Sequence, residues 1–199
     1  MENTKINGIH INGIHKIYLN ITNTLINFLY SALEAVGRSD MYYCWEPGVY
    51  YIPEYLGISK SEFWNTIDLK GYKFWVDMPE LPLWKSLWGK LEALSEDIGA
   101  ELYIVVNPTL NPIHVFGQYL KVADLFGRSF THTVATTDKS VLAHPNAVYI
   151  DVSEAMVIKV KEAGGNALEY PTLMNSYKCN ITEDMIDDLI NNIRGMHEE

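Results

Sequence analysis

The sequence predicts an α/β fold, a doubly wound parallel sheet with a small helical insertion, and three observations point to it. Short apolar runs recur along the chain, helical periodicity separates most of them, and glycines stand where two of the helices should stop. Strands that alternate with helices imply parallel crossovers and an open sheet covered on both faces.

The elements follow in order. Residues 1–15 read as an N-terminal extension, in which the pentapeptide Ile6-Asn7-Gly8-Ile9-His10 is repeated as Ile11-Asn12-Gly13-Ile14-His15. A period of five suits neither a helix nor a strand, so a local duplication folded as a short hairpin around the Asn-Gly pairs is expected. Metal binding by His10 and His15 would need further convergent ligands, which the neighbouring sequence lacks. The core is expected over residues 16–36 and 79–180. It starts with a strand at 17–19, a polar loop at 20–24 and a helix at 25–36. Later strands are expected at 102–106, 130–135, 147–150 and 167–170, with helices at 83–94, 112–126 and 153–163. Gly99 and the pair Gly164-Gly165 act as stop signals.

Residues 37–78 form an insertion rich in Tyr and Trp, within which Ser59 and Glu62 make a capping box for a short helix through 67. Residues 181–199 are expected to be a final helix capped by Thr182. Its apolar positions Met185, Ile186, Leu189, Ile190 and Ile193 fit one helical face. That face either packs on the domain, the more ordinary outcome, or receives a partner.

Composition limits function. With 199 residues, 48% hydrophobic and 20% charged, the chain can bury one sizeable core. A formal net charge of -10, without a Lys/Arg cluster, argues against nucleic acid as a partner. No run reaches membrane-spanning length, and no basic segment followed by an apolar run marks the start, so an intracellular protein is expected. Cys44 and Cys179 form neither a disulfide framework nor a zinc pattern and read as reduced thiols. The Asn-Ile-Thr triplets at Asn20 and Asn180 then carry no glycan.

Several segments, taken in order, carry a resemblance. They are Phe74-Trp75-Val76-Asp77-Met78-Pro79-Glu80-Leu81-Pro82, the run from Tyr103 to Pro112, Thr137-Asp138-Lys139, Val148-Tyr149-Ile150-Asp151-Val152, and Glu162-Ala163-Gly164-Gly165-Asn166-Ala167. Each is weak alone. Together, over roughly residues 16–171, they resemble the HAD (haloacid dehalogenase-like) phosphatases, and among these the 5'(3')-deoxyribonucleotidase-like group. The resemblance implies a HAD-like Rossmannoid sheet, with residues 37–78 as a helical cap over the site. It also implies that cap aromatics meet a nucleobase, for which Trp45, Phe74 and Trp75 are candidates. Tyr42, Tyr43, Tyr50, Tyr51, Tyr55, Phe63, Trp64 and Tyr72 are further aromatics there. Packing within the lid is the commoner use of any one of them.

By the same resemblance, Asn20 stands where the family has its nucleophilic aspartate and Thr22 where it has its acid/base aspartate. An amide is a poor nucleophile and brings no charge to a hard cation, and a hydroxyl does not shuttle protons as a carboxylate does. Asn23 replaces a loop glycine and tolerates a left-handed backbone. Val106 and Asn107 replace the Thr-Ser hydroxyls, although the Asn107 amide can still donate. Lys139 keeps the motif's positive charge, Asp151 keeps one acid, and Val152 replaces the second. One acid in four makes a weak Mg²⁺ site. Lys139 and Asp151 are as well explained by pairing with each other. His114, His132 and His144 fall near the site loops without forming a catalytic pattern.

The expectation is therefore a pseudoenzyme of the HAD phosphatase family, with no catalytic residues, no metal and no cofactor. Its remaining role would be binding or structural, with a nucleotide or a protein as partner, and oligomers are allowed. The group's occurrence in phages and bacteria admits a phage-encoded accessory or virion protein. The alternative is a Mg²⁺-dependent 5'-nucleotidase acting on deoxynucleoside monophosphates through a displaced carboxylate such as Asp138 or Glu154.

Overall fold

The computed structural model describes residues 13–109 and 111–198. Most of the pentapeptide repeat, with His10 and the expected hairpin, lies outside them. The described part of the repeat leads into the sheet: His15 N–H donates to Asn146 O at 2.7 Å, and Glu101 N–H donates to His15 O at 2.8 Å.

Five strands, β1 (Lys16–Asn20), β2 (Glu101–Val106), β3 (Thr133–Ala135), β4 (Ala147–Asp151) and β5 (Asn166–Glu169), form one sheet in the order β3-β2-β1-β4-β5. Every pairing is parallel. β1 lies at the centre, where both neighbours saturate its backbone. A sheet of this kind must be covered on both faces, and alternation along the strands divides the core accordingly. Ile17, Leu19, Ile104, Val106, Val148 and Ile150 join the larger apolar cluster. Tyr18, Val105, Ala147 and Tyr149 join a smaller one with Val157 and Val160 of the helix Glu154–Glu162.

Each helix expected from the sequence is present, two short ones in the insertion were not expected, and one of the expected helices is shifted. The first, α1 (Phe28–Ala35), begins three residues later than expected. Leu25 and Ile26 have helical spacing but are used elsewhere: Leu81 N–H donates to Leu25 O at 2.8 Å, and Ile26 forms an antiparallel bridge with Glu80. The helix starts where Asn27 Oδ1 can accept from Tyr30 N–H at 3.0 Å.

The insertion carries a 3₁₀ turn (Ser39–Cys44) and three short helices, α2 (Ile52–Leu56), α3 (Lys60–Lys70) and α4 (Lys73–Val76). Ser59 Oγ caps α3 by accepting from Glu62 N–H at 3.1 Å. Trp45, Ile52, Phe63, Ile67, Phe74 and Trp75 are buried and merge with the apolar cluster of the sheet. Then follow α5 (Trp84–Ile98), α6 (Pro112–Phe126), α7 (Glu154–Glu162) and α8 (Glu183–Glu198). Gly99 ends α5 in the left-handed conformation (φ 68°), which glycine adopts without strain.

The final helix packs on the domain. Ile186, Leu189 and Ile193 are buried, and Lys90 of α5 reaches Glu183 at 3.0 Å and Asp187 at 2.6 Å. β3 is shorter than expected because Phe130 leaves the strand to pack between Trp88 and Phe126, while His132 stacks on Tyr103. Among the described residues, no helix is long and apolar enough to cross a membrane.

Candidate functional site

The C-terminal ends of β1, β2 and β4 open into a cavity of about 400 Å³, with the insertion forming the facing wall. This is where open α/β sheets bind ligands. Asn20, Thr22, Asn107, Lys139, Asp151 and Val152 all line it, and Trp75 lines it from the insertion side. Val106 does not: its side chain is fully buried in the core, and its contribution is a carbonyl that accepts from Lys139 Nζ at 3.4 Å. Trp45 and Phe74 are also outside the lining. Trp45 is buried against Tyr55, with Nε1–H donating to Val49 O at 3.0 Å, and Phe74 packs edge-on to Phe28 and Trp75. The aromatics that do line the cavity, besides Trp75, are Phe28, Tyr50, Tyr51, Phe63 and Trp64.

The loop after β1 keeps its turn with Asn23 in the left-handed region (φ 60°). Its side chain braces the loop by accepting from Leu29 N–H at 3.2 Å. Asn20 and Thr22 are thus held at the cavity floor. Asn20 Nδ2 donates to Thr22 O at 3.2 Å and to Asp151 Oδ1 at 3.4 Å. Its Oδ1 is buried without a partner.

Asp151, 3% exposed, accepts hydrogen bonds at both carboxylate oxygens. Oδ1 also accepts from Ser153 N–H at 2.9 Å, and Oδ2 accepts from the Tyr149 hydroxyl. Burial pushes its carboxyl up, against the stabilising bonds from Tyr149 and Ser153. Lys139, 2% exposed, donates to the carbonyls of Val106 and Thr136 rather than to Asp151. The direct ion pair expected from the sequence is therefore replaced by carbonyl contacts. Burial pulls the amine down to about 8, and the charge of Asp151 opposes that shift. Tyr50 faces the same acid; burial and then Asp151 push its hydroxyl up to about 12.

The displaced carboxylates named above lie outside this cavity. Asp138 pairs with Lys159 at 2.9 Å and caps Ser140, and neither it nor Glu154 lines this cavity. The acid that sequence reasoning missed is Glu54, at the rim, paired with Lys60 at 3.2 Å. Among the described residues, no three His, Cys, Asp or Glu side chains stand together as a metal-ligand group. His132 stacks on Tyr103 and His144 accepts from Asn146 N–H, whereas His114 is buried between Trp64 and Trp75.

The fold is the HAD-like one, shared with solved HAD-family hydrolases. The chain is similar to a HAD-family hydrolase from Deinococcus radiodurans solved with bound phosphate and sodium (TM-score 0.54, 11% identity, 94% of this chain and 98% of that one). It is similar to a haloacid dehalogenase-like hydrolase from Xanthomonas campestris (TM-score 0.54, 13% identity, 98% and 95%). A third is the L-2-haloacid dehalogenase from Xanthobacter autotrophicus (TM-score 0.51, 11% identity, 92% and 99%). At these identities the likeness concerns the fold alone. No protein-family model and no curated protein sequence matches the chain.

Proposed function

We propose that the protein is a pseudoenzyme with respect to phosphoryl transfer, whose cavity binds a nucleoside monophosphate or a similar aromatic phosphate without hydrolysing it. The observation that carries this reading is the arrangement around Asp151. Where a hard cation needs converging oxygens, Asn20 presents an N–H to the carboxylate, and Ser153 N–H and the Tyr149 hydroxyl donate to it as well. These donors do not fit Mg²⁺, and no step through a metal follows. Nor does the nucleophile position hold a carboxylate.

What remains suits recognition. Lys139 supplies positive charge and Asn107 an amide at the sheet end. Phe28, Trp64 and Trp75 supply an apolar wall for a planar ring, with the insertion acting as a lid. The resemblance to the deoxyribonucleotidase-like group favours a nucleotide as that ligand.

Calorimetric titration with deoxythymidine monophosphate tests the reading. Binding is expected with and without a chelator, weakened about tenfold or more by Lys139→Met, since a charge-assisted hydrogen bond is worth roughly 1.5–3 kcal/mol. Because the free amine titrates at about 8, affinity should fall as pH rises through that value and Lys139 loses its charge. Absence of binding at millimolar ligand, or affinity rising above pH 8, would contradict it.

A further inference from the structure

Behind the cavity wall, three side chains from distant parts of the sequence line up. Thr109, in the loop after β2, lines the cavity. Its Oγ1 lies 2.7 Å from His114 Nδ1, in the first turn of α6. The other ring nitrogen, Nε2, lies 2.8 Å from Asp68 Oδ1 on α3 and makes no aligned hydrogen bond. Asp68 is held in turn by Asn111, whose Nδ2 donates to the same oxygen at 2.9 Å. His114 is 1% exposed, with Trp75 and Trp64 rings 5.5 Å and 6.3 Å from its own.

We propose that Thr109, His114 and Asp68 form a hydroxyl-nucleophile centre that accepts an acyl group from a small aromatic ester bound in the cavity. The logic is that of an activated nucleophile: a hydroxyl within reach of a base, and the base oriented by a carboxylate. A turn explains why Thr109 Oγ1 accepts from Asn111 N–H at 3.2 Å. It does not explain why the hydroxyl also meets a histidine enclosed by tryptophans and backed by an acid. The carboxylate beside Nε2 favours the tautomer protonated there, which leaves the Nδ1 lone pair for the hydroxyl proton. Burial, the larger influence, lowers the imidazole pKa, and Asp68 raises it. Burial outweighs the charge of Asp68, which favours the neutral ring that a general base requires.

The step balances without a cofactor. Thr109 Oγ attacks the ester carbonyl carbon as its proton passes to His114 Nδ1, and a C–O bond forms while the carbonyl π pair moves to oxygen. Collapse breaks the bond to the leaving alcohol, whose oxygen takes the proton from His114. Water, activated by the same nitrogen, then hydrolyses the acyl-threonine and restores the hydroxyl. Lys139 and Asn107 line the same cavity and can donate to the developing oxyanion. This chemistry does not rest on nucleotide binding.

The test is incubation of the full chain with p-nitrophenyl acetate, followed by nitrophenolate release and mass mapping of the acetylated peptide. The expected result is a burst with acetyl on Thr109, retained in Thr109→Ser and lost in Thr109→Val. His114→Gln should slow acylation about a hundredfold or more. Asp68 is a positioning residue, so Asp68→Asn should lower the plateau rate and move the acid limb of the pH profile to lower pH. Mapping of the wild-type adduct decides independently of how the variants fold. Acetyl found only on lysines or elsewhere, or an undiminished burst in Thr109→Val, overturns the proposal.

Discussion

Replacing Asp151 with alanine is expected to lower stability by about 3 kcal/mol, although the residue is read here as non-catalytic. The change strands the Tyr149 hydroxyl and the Ser153 N–H in a buried position, and each unpartnered group costs roughly 1–3 kcal/mol. It also removes the negative charge that partly offsets the buried ammonium of Lys139. Urea unfolding at neutral pH reads the loss directly. Tyr149→Phe added to Asp151→Ala should recover part of it, because one stranded donor disappears with the hydroxyl. The pH dependence has a definite sign. The folded carboxyl pKa is raised, so the folded state binds the proton more tightly than the unfolded chain. The wild type should therefore lose stability as pH rises from the ordinary carboxylate range through the folded value, and the alanine variant should lack that slope. A difference below 1 kcal/mol would mean that the network around Asp151 is not a structural one.

Gly117→Ala carries the second large effect. In mid-helix this substitution normally stabilises by up to about 1 kcal/mol. At Gly117 a Cβ would lie 2.7 Å from the Tyr72 carbonyl oxygen and 3.0 Å from Trp75 Cβ, so α6 and α4 must separate. Overpacking of this kind costs roughly 1–3 kcal/mol, and it displaces Trp75 from the cavity wall. The expected outcome is a net loss of about 2 kcal/mol together with weaker ligand binding. Gly89 on α5 is the control, since a Cβ there meets nothing within 4 Å and alanine should stabilise. Equal effects at the two positions would contradict the packing described for α4 and α6.

Local pattern made most of the fold legible. The apolar runs of β1, β2, β4 and β5, Gly99 after α5, and Thr182 before α8 each carry their own signal, and the parallel direction of the strands follows from their alternation with helices. Sequence and structure part where a distant partner overrides local spacing. Ile26 looks helical but bridges Glu80, and Phe130 looks strand-like but belongs with Trp88 and Phe126.

The site shows the same division. Asn20, Thr22, Asn107, Lys139, Asp151 and Val152 do converge on one cavity. That Tyr149 holds Asp151 was available in principle, because residues two apart on a strand share a face. The contacts of His114 were not, because Asp68 reaches it from the insertion and the sequence offers no spacing rule for that approach. Nor does a run of aromatics tell which ring faces a ligand: Trp45 and Phe74 turn into the packing, while Tyr50 and Trp64 face the cavity.

The most direct measurement is phosphate release from deoxynucleoside monophosphates with saturating Mg²⁺, made on wild-type protein and on Asp151→Asn. The expected result is no release above the protein-free control from either. Mg²⁺-dependent turnover at ordinary enzymatic rates, abolished by Asp151→Asn in a folded variant, would contradict the reading of the site as one that binds without phosphoryl transfer.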